Sequence, residues 1–162
     1  MLKKKIEAEV NEVGFSCVTV FDEVRPQHRW TYSVGFERTL GLANIVVFDL
    51  EHNISSVLIK DAYGLCKEHG CLADKSFPLL AAHDVFFRQV DMRWVDEFGL
   101  SFLSDEGGAF LQMFWPDSVG LFPWESGFEP RFANLQPMLF LSDGEMSGAS
   151  EYLYSGTQGN LF

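Results

Sequence analysis

Ile6, Val10 and Val13 recur every three to four residues with Glu7, Glu9 and Glu12 between them. That spacing predicts a short amphipathic helix stopped by Gly14. The β-rich run Phe-Ser-Cys-Val-Thr-Val-Phe at 15–21 reads as a first strand closed by Asp22, Glu23 and Pro26. Strict alternation follows at 30–36, where Trp30, Tyr32, Val34 and Phe36 share one face and Thr31, Ser33 and Gly35 the other. The small face suits a closely packed helix or a ligand. Residues 45–50 form a short apolar run consistent with a strand buried on both faces. Asn53 is a candidate N-cap for a helix to about His69, with Ile54, Val57, Leu58, Ala62 and Leu65 as its apolar face and Gly70 as its stop. Asp61 falls on that same face, as a sheet-edge ion pair or a buried carboxylate.

Beyond a loop around Pro78, residues 85–92 read as a strand, and Trp94, Val95, Phe98 and Phe102 recur at helical spacing. Asp105-Glu106-Gly107-Gly108 reads as a turn, and 109–115 as a strand that Pro116 ends because proline has no N–H to donate. From Ser142 onward Gly144, Gly148, Gly156 and Gly159 interrupt any period, leaving Tyr152, Tyr154, Leu161 and Phe162 as groups able to dock on the body. The predicted class is α+β: a mainly antiparallel sheet of about five strands covered by two or three helices. Residues 1–141 read as a single domain and 142–162 as a Gly/Ser-rich acidic tail or long loop.

With 162 residues, 47% of them hydrophobic, the chain can bury a core of its own. No apolar run resembles a signal peptide or a membrane span, and the three cysteines, Cys17, Cys66 and Cys71, do not make an even disulfide set. A reducing, cytoplasmic location is the expectation. Cys66, His69 and Cys71 offer three metal ligands where a closed zinc site needs four, so no metal or other cofactor is assigned.

Charge changes the picture more. The net charge is −11, yet residues 1–93 hold 11 basic and 13 acidic residues while 94–162 hold Arg131 alone against ten acids. Such a block repels phosphate backbones and attracts basic proteins, although a low isoelectric point also serves plain solubility.

No phosphate loop, dinucleotide fingerprint, zinc-protease helix or nucleophile elbow occurs, so no catalytic residue is assigned. His28, His52, His69 and His83 sit among polar residues and read as surface groups. The unusual stretch is 112–125, where Trp115-Pro116-Asp117 and Phe122-Pro123-Trp124-Glu125 flank an acidic turn. Proline stiffens such a backbone, tryptophan gives contact area at small entropic cost, and the carboxylates can meet a cation. The same residues also suit a hydrophobic loop folded on the core.

The 30–36 strand, the 45–50 run, the 112–125 stretch and Gln136-Pro137-Met138-Leu139 together resemble a bacterial family of unknown function, domain-of-unknown-function family four-two-six-two, over roughly residues 10 to 140. That family tends to show Pro-Glu-Leu where this chain has Ala43-Asn44-Ile45, and glycine where it has Asp49. The resemblance implies a single domain of bacterial or phage origin; it supplies no established activity, so no catalytic residue is carried over from it.

The leading expectation is an acidic cytoplasmic binding protein that neutralises a basic protein partner such as a toxin domain, as an immunity protein does. Its expected contact residues are Trp115, Asp117, Trp124, Glu125 and Glu129. The alternative is a small-molecule or flavin-binding enzyme of split-barrel type, with a pocket between the 30–36 strand and the 115–124 loop. A scaffolding module without chemistry is a third reading.

Overall fold

The computed structural model describes residues 1–25, 28–103 and 108–154. Helix α1 (Leu2–Val13) lays Ile6 and Val10 on the core and ends at Gly14, which has φ 101°. Any side chain there would run into the Tyr63 hydroxyl, so glycine is needed for both backbone and space. Strands β1 (Ser16–Phe21), β2 (Arg29–Val34) and β3 (Asn44–Phe48) form an antiparallel meander, with the short helix α2 (Phe36–Leu40) between the last two. Gly35, at φ 107°, turns the chain out of β2, so Phe36 opens α2 and does not extend the strand as its alternation had suggested.

The long helix α3 (His52–His69) follows, then β4 (Ser76–Phe77), β5 (Val85–Gln89), α4 (Met92–Glu97) and β6 (Phe110–Phe114). The sheet is six-stranded, in the order β1-β2-β3-β6-β5-β4, and only the β3–β6 pairing is parallel. The fold is α+β with a mainly antiparallel sheet, as the patterning predicted, with one strand more than expected because β4 is only two residues long.

Both faces of the sheet are covered. On one, Ile45 and Val47 of β3 and Leu111 and Met113 of β6 pack with Leu58, Ile59, Ala62 and Cys66 of α3. On the other, Val46, Phe48 and Phe110 pack with Val10, Trp94, Phe98, Leu139 and Tyr152. Double coverage explains why all five residues of β3 and of β6 are buried.

Three expectations need correction. The buried face of α3 is Ser55, Leu58, Ile59, Ala62 and Cys66; Ile54 and Val57 are exposed, and so is Asp61. The rotation brings small Ser55 against the sheet, where the larger Ile54 had been expected, and the cap residue is Glu51. The strand expected at 85–92 stops at Gln89, because Asp91 caps α4 by accepting the Arg93 N–H at 3.0 Å. Phe102 lies beyond the end of α4 and is 85% exposed.

The stretch from Ser142, expected as a tail or loop, forms α5 (Gly144–Ser147) and α6 (Ala149–Tyr154), and α6 docks through Tyr152. The Asp105-Glu106-Gly107 part of the expected turn, Tyr154's side chain, and Leu161 and Phe162 lie outside the described residues.

Candidate functional site

Asp117 organises the segment that leaves β6. Its carboxylate is 2% exposed and accepts the backbone N–H groups of Val119 (3.1 Å) and Leu121 (2.8 Å) on one oxygen and of Glu129 (3.0 Å) on the other. Burial pushes this carboxyl up, but the N–H groups of Leu121, Glu129, Val119 and Gly120 outweigh it and hold it below the ordinary carboxylate range. Glu129 accepts the Ser118 N–H at 3.1 Å and meets Arg131 at 2.7 Å, and Glu125 accepts the Phe122 N–H at 2.9 Å.

Of the five expected contact residues, then, Asp117 is buried within its own loop, Glu129 is half-buried, and Glu125 is exposed. Trp115 is buried: its indole N–H donates to the Phe48 carbonyl at 2.8 Å. Half-buried Trp124 stacks on Phe122 at 5.2 Å, meets Phe114 edge-on at 4.9 Å, and carries the Arg88 guanidinium 5.0 Å above its ring. The structure brings these residues onto one loop, but mostly as its internal frame. Because β3 lies between β2 and β6, Trp115 packs against β3 and does not face β2 across a cleft.

Two glutamines stitch the next segment to β6. Gln112 donates to the Pro137 carbonyl at 2.7 Å and accepts the Leu139 N–H at 3.1 Å. Gln136 donates to the Trp115 carbonyl at 2.8 Å and accepts its N–H at 2.9 Å. The Gln-Pro-Met-Leu motif thus continues the sheet's bonding with side chains where proline cannot donate.

This loop and the α5–α6 pair enclose a groove of about 210 Å³. Phe128, Phe132, Met138 and Met146 line it, Met146 being 66% exposed, and so do Glu145 and Glu151. Asp143 sets α5 beside it by accepting the N–H groups of Glu145 (2.9 Å) and Met146 (3.4 Å). Sequence reasoning missed Glu145, Met146 and Glu151 because helices this short carry no visible period.

A second polar cluster forms where Tyr152 of α6 meets the start of β2 and the end of β3. Asp49, at φ 55°, accepts the Arg29 N–H at 3.2 Å and the Tyr152 hydroxyl proton. Burial raises its carboxyl to about 6 against the lowering pull of these bonds and of Arg29 and Arg25. Tyr152 is pushed well above the ordinary phenol range by burial and by Asp49. The His28 imidazole lies 4.5 Å from the Tyr152 ring, tilted 38° to it, its pKa lowered by burial and by Arg25. A left-handed aspartate where the resembled family has glycine was the one sequence signal for this cluster.

A family model matches residues 9–129, most of the chain. The chain belongs to DUF4262, a domain of unknown function. No curated protein and no solved structure matches it. Asp49, Trp115, Asp117, Trp124 and Glu129 lie inside the DUF4262 match, whereas Met138, Glu145, Glu151 and Tyr152 lie beyond it. The frame of the loop is therefore in the family region, and the acidic wall of the groove is not.

The remaining histidines are spread over the surface. His52 bridges Thr19 and Ser56, His69 packs against Phe77, and His83 meets the Ser118 carbonyl at 3.2 Å. The Cys66 thiol is pushed up to about 11 by burial and by Cys71. Among the described residues, no three His, Cys, Asp or Glu side chains are placed to hold a metal ion, and no helix is long and apolar enough to cross a membrane.

Proposed function

We propose that this protein is a cytoplasmic binding protein for a basic protein partner, of the kind an immunity protein makes with a nucleic-acid-attacking toxin domain. The observation that carries the reading is the groove, where aromatic and methionine side chains sit with Glu145 and Glu151. It lies in a half of the chain that holds a single basic residue, Arg131, against ten acids. A Lys or Arg side chain entering it finds carboxylates for its head and ring faces for its stem. Glu125, exposed on the loop that carries the groove's aromatic wall, adds negative charge beside it, while Glu129 on the same loop is paired with Arg131. Long-range attraction then speeds encounter, and the apolar wall retains the docked chain.

Co-expression with a panel of basic nuclease toxin domains tests this. Rescue of growth by the wild-type chain, lost in the Glu145→Lys/Glu151→Lys double variant, is the expected result. Failure to rescue against every member, together with no retention of any of them on the immobilised protein at low salt, overturns it.

A further inference from the structure

A strand inside a sheet meets two neighbours, but β1 meets only β2, so half of its backbone groups face outward. The register says which half. Asp22 gives its N–H to the His28 carbonyl at 3.0 Å, and Arg29 turns its own backbone groups toward Asp49. With Phe21 opposite Arg29, the residues of β1 that bond to β2 are therefore Ser16, Val18 and Val20. Cys17, Thr19 and Phe21 point their N–H and carbonyl groups away from the sheet. Among the described residues, none of these outward groups has a hydrogen-bond partner. They span about 13 Å, the length over which a short extended strand pairs.

The two edges of the sheet differ. β4 is two residues long and stands between Lys75 and Pro78, and shortness, lysine and proline all blunt an edge. β1 reads Ser-Cys-Val-Thr-Val-Phe, without charge or proline, and pairs with β2 in an unbroken register with no bulge. A recess of about 390 Å³ opens beside its Cys17 end. Lys5 and Glu9 of α1 line one side of the recess, and His52, Ser56 and Lys60 of α3 the other. Because α1 packs on one face of the sheet and α3 on the opposite face, the edge lies between two helices. The Thr19 hydroxyl, 2.7 Å from that of Thr31 and bonded to His52, holds the strand in place.

We infer that the β1 edge is a docking site for an extended peptide segment of a protein partner, which adds a seventh strand through Cys17, Thr19 and Phe21 and places an acidic side chain in the recess beside Lys5 and Lys60.

Backbone pairing supplies affinity for almost any extended sequence, and the recess supplies selection. Glu9 already accepts the Ser16 hydroxyl at 3.0 Å, so the recess sets two ammonium groups against one engaged carboxylate. The chain as a whole carries −11, but at physiological ionic strength acids more distant than about 8 Å are screened, and the two lysines weigh more than the total. A second copy of the chain would bring its own α1 and α3 to the same place, whereas a single extended segment fits between the walls. None of the residues lining this recess lines the acidic groove, so either assignment can fail without the other.

Fluorescence anisotropy of the full chain with a labelled nine-residue peptide of alternating valine and threonine, carrying two glutamates, tests the proposal. Controls are the same peptide with lysines in place of the glutamates, and one N-methylated at alternate residues so that it cannot pair. The glutamate peptide is expected to bind most tightly. Amide exchange in its presence is expected to slow at Cys17, Thr19 and Phe21 and to change little at Val18 and Val20, whose groups already bond to β2. Lys5→Glu/Lys60→Glu, with folding confirmed by circular dichroism, is expected to weaken binding roughly tenfold or more. The proposal is overturned if the glutamate peptide does not bind up to about 1 mM, if either control or the double variant binds equally well, or if protection does not alternate along β1. Light scattering that shows a dimer whose outward β1 amides are already protected assigns the edge to a second copy and overturns it as well.

Discussion

Asp49 concentrates several demands on one side chain. It adopts a positive φ, caps the Arg29 backbone, accepts from Tyr152 and keeps one oxygen without a partner. Its carboxyl titrates near 6 in the folded chain against an ordinary value near 3.8. The folded state therefore holds this proton more tightly than the unfolded chain. Its contribution is most favourable below about pH 4 and is lost as pH rises through about 6, a difference of roughly 3 kcal/mol. Asp49→Asn keeps an acceptor for Tyr152, tolerates the left-handed backbone and carries no charge. Urea denaturation is expected to show the variant more stable by about 1–3 kcal/mol at about pH 8, with the gain shrinking toward zero near pH 4. A gain of equal size at both pH values would refute the buried-charge explanation.

Among elements, what was legible depended on length and exposure. The alternation of β2 and the spacing of Ile6 and Val10 in α1 stood out because each element keeps one consistent face. For α3 the face was misjudged by one position, since Ile54 and Val57 are as apolar as the residues that do pack, and small Ser55 takes the close contact. β4, α5 and α6 were not visible, because two to six residues are too few to show a period. The parallel β3–β6 pairing joins segments more than sixty positions apart, and no local signal encodes it. The candidate site was half legible for a related reason. The Trp-Pro-Asp and Phe-Pro-Trp elements marked the loop, but their bonding partners, Gln136 and the Phe48 carbonyl, come from distant parts of the chain. Gln112 shows what such a partner is worth. Gln112→Leu fits the buried slot but strands the Leu139 N–H and the Pro137 carbonyl. A loss of about 2–4 kcal/mol in urea denaturation is expected. Release of the 136–141 segment should also appear as faster amide exchange at Leu139, with β1 and β2 unaffected.

Across the whole molecule, the uneven charge becomes a property of shape. The first 93 residues nearly balance, and the second half adds acids to a loop and two short helices that share one groove. Those helices lie outside the DUF4262 match, so the common scaffold carries a surface that this chain's own later segment makes acidic. Concentrating like charge costs stability through self-repulsion, and salt relieves it because the Debye length falls from about 30 Å at 0.01 M to about 8 Å at physiological ionic strength. The melting temperature of the isolated protein is therefore expected to rise as sodium chloride is added from a very low level to a physiological one. If the groove is a main source of the repulsion, Glu145→Lys/Glu151→Lys should start from a higher melting temperature at low salt and respond less to added salt. The same double change is predicted to abolish partner rescue. A variant that is more stable yet no longer functional would separate the charge's cost in stability from its proposed part in binding. An unchanged salt response in the double variant would place the repulsion elsewhere on the surface and remove the groove's charge as the feature that selects the partner.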